Sequence, residues 1–334
     1  MKKKLTQISI SVLLCLITIY ALHKFCIEQN LKIGNFDRNF KEKKITKINE
    51  INLPFEVYNL AGMNDKEIYF SSKKLNEILK YDLTTKKFLT KKLNHKNHNS
   101  NILGDSLFSF DPYFRKMYIY DTNKLDLISE VSLNVGFDRA LAVNKNLILL
   151  RSATDKYTKT ILSTYDIKSN KNNKLKIQLD DSLEVDGGLK TDGYFTYKNS
   201  SIIFTQYKKG NFYKIENNLN KINRFKTIDN IQKVEGVNLS KDSTFYFEKP
   251  VLNSNLLTSI SANKVYIISF VKGNSDKLSD FTKYRMLDVY NLETGKYLES
   301  YYLPNNGIEK ANDFHIENNK IYLLFNSKIS IYEF

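Results

Sequence analysis

The chain has 334 residues, of which 42% are hydrophobic, 13% aromatic and 26% charged, with a formal net charge of +15. That much apolar and aromatic side chain excludes a disordered chain and suffices for a large core. A basic balance suits nucleic acid only where it is clustered; here the lysines are scattered among asparagines from end to end, so no nucleic-acid partner is expected.

The first element is N-terminal. "MKKK" precedes "LTQISISVLLCLITIYAL", Leu5 to Leu22, which is followed by His23 and Lys24. The lysines should stay cytoplasmic and the chain beyond the apolar stretch should be exported. A transmembrane helix needs about 17 to 25 residues, so the stretch is just long enough to span. Ala21 is the one small residue near a cleavage point, with bulky Ile19 two residues earlier, and neither Cys15 after "VLL" nor Cys26 after "HKF" sits in a good lipidation site. Residues 1–26 therefore read as an uncleaved signal anchor in the cytoplasmic membrane, with cleavage to a secreted or periplasmic form as the alternative. Both cysteines of the chain lie here, so the exported part carries neither disulfide nor redox chemistry. Residues 27–44, charged and Asn-containing, read as a tether.

From residue 45 to 334 the chain is periodic. Tyr81, Tyr120, Tyr165, Tyr213, Tyr290 and Tyr332 recur at intervals of 39, 45, 48, 77 and 42 residues, each at the end of a strand-like run. Polar turns and second runs come next, as in "YDLTTKKFLTKKL", "YDTNKLDLISEVSL", "YDIKSNKNNKLKIQL" and "VYNLETGKYLESYYL". Another run precedes each, such as "EIYFSS", "NLILLRS" or "KVYIISF", rich in β-branched and aromatic residues and bounded by Asn, Asp, Gly and Lys. Helical periodicity is absent after the anchor. A four-stranded meander of roughly 40 to 45 residues is the size of a propeller blade, and such sheets bury their faces by packing around an axis. The 77-residue interval gives six blades if it holds insertions such as "KDSTFYFEKPVLNSN" and "KGNSDKLSDFTKY", and seven if it hides a degenerate blade. Six is the expectation, since irregular insertions in repeat folds map to loops. The last unit, "DFHIENNKIYLLFNSKISIYEF", shows three strands, and "KITKINEINLP", residues 44–54, is placed to supply its fourth and close the ring.

The hairpins "YDLTT" and "VYNLETGK" resemble those of the TolB-like six-bladed β-propellers found in exported bacterial proteins. The resemblance covers residues 45–334 as a pattern, and it implies an all-β propeller and export. Such propellers serve as binding platforms, hydrolases or lyases, so it implies no reaction.

Candidate chemistry is sparse. "HKNH" spaces His95 and His98 three residues apart, compatible with a metal site only if another ligand arrives; a solvated loop is the competing reading. "LDDSLEVDGGLKTDG" gathers Asp180, Asp181, Glu184, Asp186 and Asp192, hard oxygen ligands that would suit calcium, although Asp-Gly pairs are also ordinary turn chemistry. Arg139, Asp192 and Asp313 fall on or near innermost strands, where they would line the central channel and either grip a polar ligand or pair with each other. There is no GxSxG, HExxH, phosphate-binding Gly-rich loop or CxxC. The expected function is a membrane-anchored, extracytoplasmic, non-catalytic binding or scaffold module for an envelope protein, peptide or glycan, without a cofactor. The alternative is an exported hydrolase or lyase with a metal-assisted site at the channel.

Overall fold

The computed structural model describes residues 10–20, 32–41, 44–72, 76–153, 160–177, 179, 185–198, 200–242, 244–249, 251–304 and 311–334. Residues 10–20 are helical and stand with their apolar side chains exposed. Among the described residues no helix is long and apolar enough to cross a membrane.

The periodic part folds into six four-stranded antiparallel sheets arranged as a ring. Their innermost strands are Asn59–Met63, Asn99–Leu103, Arg139–Asn144, Gly193–Lys198, Asn255–Ser261 and Asp313–Glu317, for blades 1 to 6 in order. Each is paired outward with the next strand, so every blade runs from the axis to the rim as a meander.

Burial follows this order. Second strands such as Glu67–Ser72, Leu147–Ala153 and Ser201–Gln206 are near-continuous apolar runs because blades cover both of their faces. The outermost strand of blade 1, Phe88–Lys92, is largely exposed and reads accordingly as "FLTKK". The core is a set of wedges between neighbouring blades, not one mass. Phe70, Leu79 and Tyr81 of blade 1 meet Tyr322, Leu324 and Ile331 of blade 6, and Phe108, Phe110 and Met117 of blade 2 meet Ala140, Ile148 and Leu150 of blade 3. Innermost strands are also tied side to side: Asn101 exchanges hydrogen bonds with the Ala142 backbone at 3.0 and 3.1 Å, and Thr196 Oγ1 donates to Thr258 O at 2.9 Å. Blades 1 and 2 approach closely at Gly62, where the strand bulges at φ 149° and a Cβ would lie 2.4 Å from Ile102 Cγ1.

The repeating Tyr-Asp pair has a local cause. Each tyrosine is buried at the end of a third strand, and the next residue's side chain closes the turn: Asp82 Oδ1 accepts from the N–H groups of Thr84 and Thr85, Asp121 from Lys124 and Asp126, Asn291 from Glu293 and Thr294. Blade 4 departs from the pattern. The position equivalent to Tyr81 there is Ile215, and Tyr213 lies two residues earlier on the same face of Asn211–Glu216.

The ring closes as the strand pattern predicts. Thr46–Asn52 pairs antiparallel with Lys328–Glu333 and forms the outer strand of blade 6, with Ile51 opposite Ile329. Ile51→Val should lower the unfolding free energy by about 1 kcal/mol, read as a shifted urea midpoint at unchanged slope. The long interval is insertion and not a seventh blade: a hairpin, Val237–Leu239 with Phe245–Phe247, lies between blades 4 and 5, and a short helix, Leu278–Lys283, interrupts blade 5. That helix corrects the expectation of no helix after the N-terminal segment; it is a single turn and a half, too short to leave a periodic signal.

The expected tether needs a larger correction. Residues 32–41 pack along blade 5: Lys32–Ile33 pairs in parallel with Val271–Lys272, and Phe40 stacks on Tyr302 with ring centroids 4.0 Å apart. Between them Arg38 is fully buried, its Nε and Nη2 on Asp288 at 2.8 and 3.1 Å, Nη2 also on Ser269 Oγ, and Nη1 on Asp276. A charged segment can pack this way because two carboxylates await its one buried cation.

Candidate functional site: the central channel

All six innermost strands begin at the same end of the ring, and a cavity of about 700 Å³ opens there along the axis. That volume lies in the range of small-molecule and side-chain pockets. Arg139 and Asp313 line it, and Asp192 stands at its rim, immediately before Gly193. The three predicted channel residues are thus at one mouth, where blade register puts them.

Arg139 is engaged on all three nitrogens. Nε donates to Gly193 O at 3.2 Å, Nη1 to Asp138 O at 3.0 Å, and Nη2 to Asp192 Oδ1 at 3.3 Å. Burial works against its charge, but Asp192, then Tyr207 and Asp138, outweigh that and hold its pKa above the ordinary value. Arg151, 2% exposed, backs the same group: Nη1 pairs with Asp138 and lies 3.6 Å from Asp192 Oδ1, and Nη2 donates to Gly188 O at 2.6 Å. Two arginines and two aspartates therefore form one neutral network. Of the readings open to Arg139 and Asp192, mutual pairing is the one the geometry gives.

Asp313 is different. Its carboxylate accepts from Leu60 N and Phe314 N, each at 2.8 Å, and among the described residues it makes no ion pair. Burial pushes its carboxyl up to about 7, against the two backbone N–H groups that favour the ionised form. Facing it are Tyr194 and Tyr207 of blade 4, stacked with centroids 5.6 Å apart. Burial raises the Tyr207 phenol to about 12 and the Tyr194 phenol well above its ordinary value, so both are neutral hydroxyls. The Tyr194 hydroxyl is buried beside Thr196 and makes no close hydrogen bond among the described residues.

The far end of the channel is crossed by a bridge. Lys198, last residue of its strand, reaches from blade 4 to blade 6, donating to Ile316 O at 2.9 Å and pairing with Glu317. His315 Nε2 lies 3.3 Å from the same carboxylate. That hydrogen bond and Lys198 hold Glu317 down at about 2, while burial lowers His315, which is therefore neutral near pH 7. Seen from the Asp313 mouth, the charges on the channel floor thus balance internally.

Among the described residues the metal candidates do not assemble. His95 is buried, its Nε2 2.8 Å from Ser109 Oγ and its ring stacked 3.5 Å from that of Tyr118; burial lowers it to about 4. His98 instead lines the channel mouth and meets the Tyr113 ring edge-on. The pair separates because residues 95 to 98 bend from the blade wedge onto the inner strand. The His95–Ser109 pair is no nucleophile, since both groups are sealed from the surface. Asp186 accepts from Gly188 N and Lys190 N at 2.8 Å each, a turn-closing role. Asp180, Asp181 and Glu184 lie outside the described residues. Among the described residues no three His, Cys, Asp or Glu side chains gather.

Sequence reasoning missed Asp138, Arg151, Tyr194 and Tyr207. Arg151 carried a signal, a cation at the end of the apolar run "NLILLR"; the tyrosines were hidden among many strand tyrosines.

No protein-family model and no curated protein sequence matches this chain. Among solved structures, a member of the DUF4221 family from Bacteroides vulgatus aligns with a TM-score of 0.52 at 9% identity, over 90% of this chain and 98% of its own. Virginiamycin B lyase from Staphylococcus aureus aligns at 0.49 and 14%, over 87% and 99%, and BamB from Moraxella catarrhalis at 0.45 and 10%, over 87% and 100%. At such identities the likeness is one of fold alone. The chain is an all-β, six-bladed β-propeller.

Proposed function

We propose that this propeller is a non-catalytic binding platform of the bacterial envelope, TolB-like in its hairpins, anchored through residues 5–22 with the ring outside the cytoplasmic membrane, and that it takes a protein or peptide on the face where the channel opens. One observation carries the reading. The exposed side chains of Tyr58, Tyr113, Phe114, Val185, Leu239 and Tyr246 all belong to connections on that one face. The insertion that bears Leu239 and Tyr246 leans over the blade 3 to 4 connection, where Phe245 packs so closely on Gly187 that a Cβ would lie 2.4 Å from it. Exposed aromatic and aliphatic groups ringing a polar centre match the composition of recognition surfaces. The anchor is supported by the lysine-flanked apolar stretch and by the exposed apolar side chains of the helix over residues 10–20, which a bilayer would cover.

Photo-reactive residues placed at Tyr113, Leu239 and Tyr246 of the full chain in intact cells should give a discrete adduct with an envelope protein. The same label at Leu127 and Ile128, exposed on the outer strand of blade 2, should not. Adducts from the blade edge alone would place docking elsewhere and end this reading.

A further inference from the structure

We propose that the channel mouth is a receptor for a single cationic group, an alkylammonium or guanidinium, with Asp313 as its counter-charge and Tyr194 and Tyr207 as its wall. The charges around the pocket single out Asp313. Arg139 and Arg151 are balanced by Asp138 and Asp192, and Lys198 by Glu317 on the floor. His315 on the same strand is neutral, and His98 is the other imidazole of the wall. Asp313 remains as a carboxyl in the channel wall, fixed by two backbone N–H groups and facing no cation among the described residues.

Two further features fit a cation and not an anion. The Tyr194 hydroxyl, buried beside Thr196 and without a close hydrogen bond among the described residues, can accept from an N–H donor, and buried polar atoms so placed are scarce enough to mark a site. Its ring and that of Tyr207 offer stacked aromatic surface beside the carboxyl, the environment that holds ammonium and guanidinium groups. An anion would have to compete with Gly193 O, Asp138 O and Asp192 for Arg139, or reach Arg151, which is sealed from the channel. The basic surface of the chain does not oppose this, because its field is screened within about 8 Å at physiological ionic strength.

This inference rests on taking the channel-mouth face as the ligand face, and small probes keep it separable from macromolecular docking. The full chain in detergent would be titrated calorimetrically with the N-acetyl amides of lysine, arginine, norleucine and glutamate, and with propylamine. The lysine and arginine compounds should bind and the norleucine and glutamate compounds should not; propylamine matching them would point to a free amine, and weaker propylamine to a polypeptide side chain. A carboxyl that titrates near 7 must ionise to hold a cation, so affinity should fall about tenfold from pH 8 to pH 6. Asp313→Asn should weaken binding about tenfold or more and erase that dependence. Tyr194→Phe, which keeps the ring and its packing, should weaken binding and leave the pH dependence in place. His98→Gln should leave the pH dependence in place. The proposal is overturned if the cationic amides fail to bind the folded wild type, if the glutamate amide binds as well, or if His98→Gln and not Asp313→Asn removes the pH dependence.

Discussion

Arg38→Ala should strip residues 32–41 from blade 5. Among the described residues the guanidinium is the one cation beside Asp276 and Asp288, both side chains essentially unexposed, and removing one partner of a buried pair costs about 3–5 kcal/mol because the other is left uncompensated. Here the molecule has an escape. If the segment peels away, the two carboxylates regain water, so the cost is capped by the docking energy of residues 32–41 and appears as local opening. Native-state hydrogen exchange should read it directly. The amide of Gly34, bonded to Lys272 O at 2.8 Å, and that of Lys41, bonded to Ser300 O at 3.0 Å, should lose at least a hundredfold protection, about 3 kcal/mol, while inner-strand amides keep theirs. Arg38→Lys should recover part of it, since an ammonium cannot grip Asp288 from two nitrogens and reach Asp276 as well. Unchanged protection in the alanine variant would show that the flanking contacts of Phe36 and Phe40 hold the segment unaided.

The same segment marks the limit of what the sequence discloses. The hairpins were legible because their cause is local: the side chain of Asp82 caps a turn two and three residues on, and both partners stand within "YDLTT". Ring closure was legible because a strand-like run without a partner and a unit short of one strand call for each other. Channel residues followed from blade register, which places Arg139 and Asp313 on inner strands before any side chain is known. Arg38 lay beyond reach. Its partners are 238 and 250 residues away, and a composition that reads as a solvated tether is the same whether or not two buried aspartates await it. The flanking aromatics of "NFDRNF" were the only trace. Blade 4 fails for a different reason: Tyr213 and Ile215 share a face, so strand alternation cannot say which is the blade's equivalent of Tyr81.

Two buried groups should give the protein opposed pH responses. His95 is held near 4, below its ordinary 6.5, so the unfolded chain binds a proton that the folded one refuses. Its contribution to stability is complete above about 6.5 and is lost as pH falls toward 4, by about 3 kcal/mol in full. Asp313, raised to about 7, acts the other way: the folded chain holds a proton between about 4 and 7 that the unfolded chain has released, so its contribution grows as pH falls through that window. Between pH 4 and 6.5 the two slopes therefore oppose each other, with His315, also lowered by burial, on the side of His95. His95→Gln, which can keep a hydrogen bond to Ser109, should remove the His95 slope, so that the variant gains on the wild type by up to about 3 kcal/mol as pH falls from 6.5 to 4. Urea midpoints taken at half-unit pH steps would test this. Curves for wild type and His95→Gln that run parallel from pH 7 to 4 would mean that the imidazole is not buried in its neutral form. The cost of holding Asp313 as a carboxylate above pH 7 is the energy a cationic ligand would recover on entering the channel, which makes its strain in the free protein and its service to a ligand one property of the same residue.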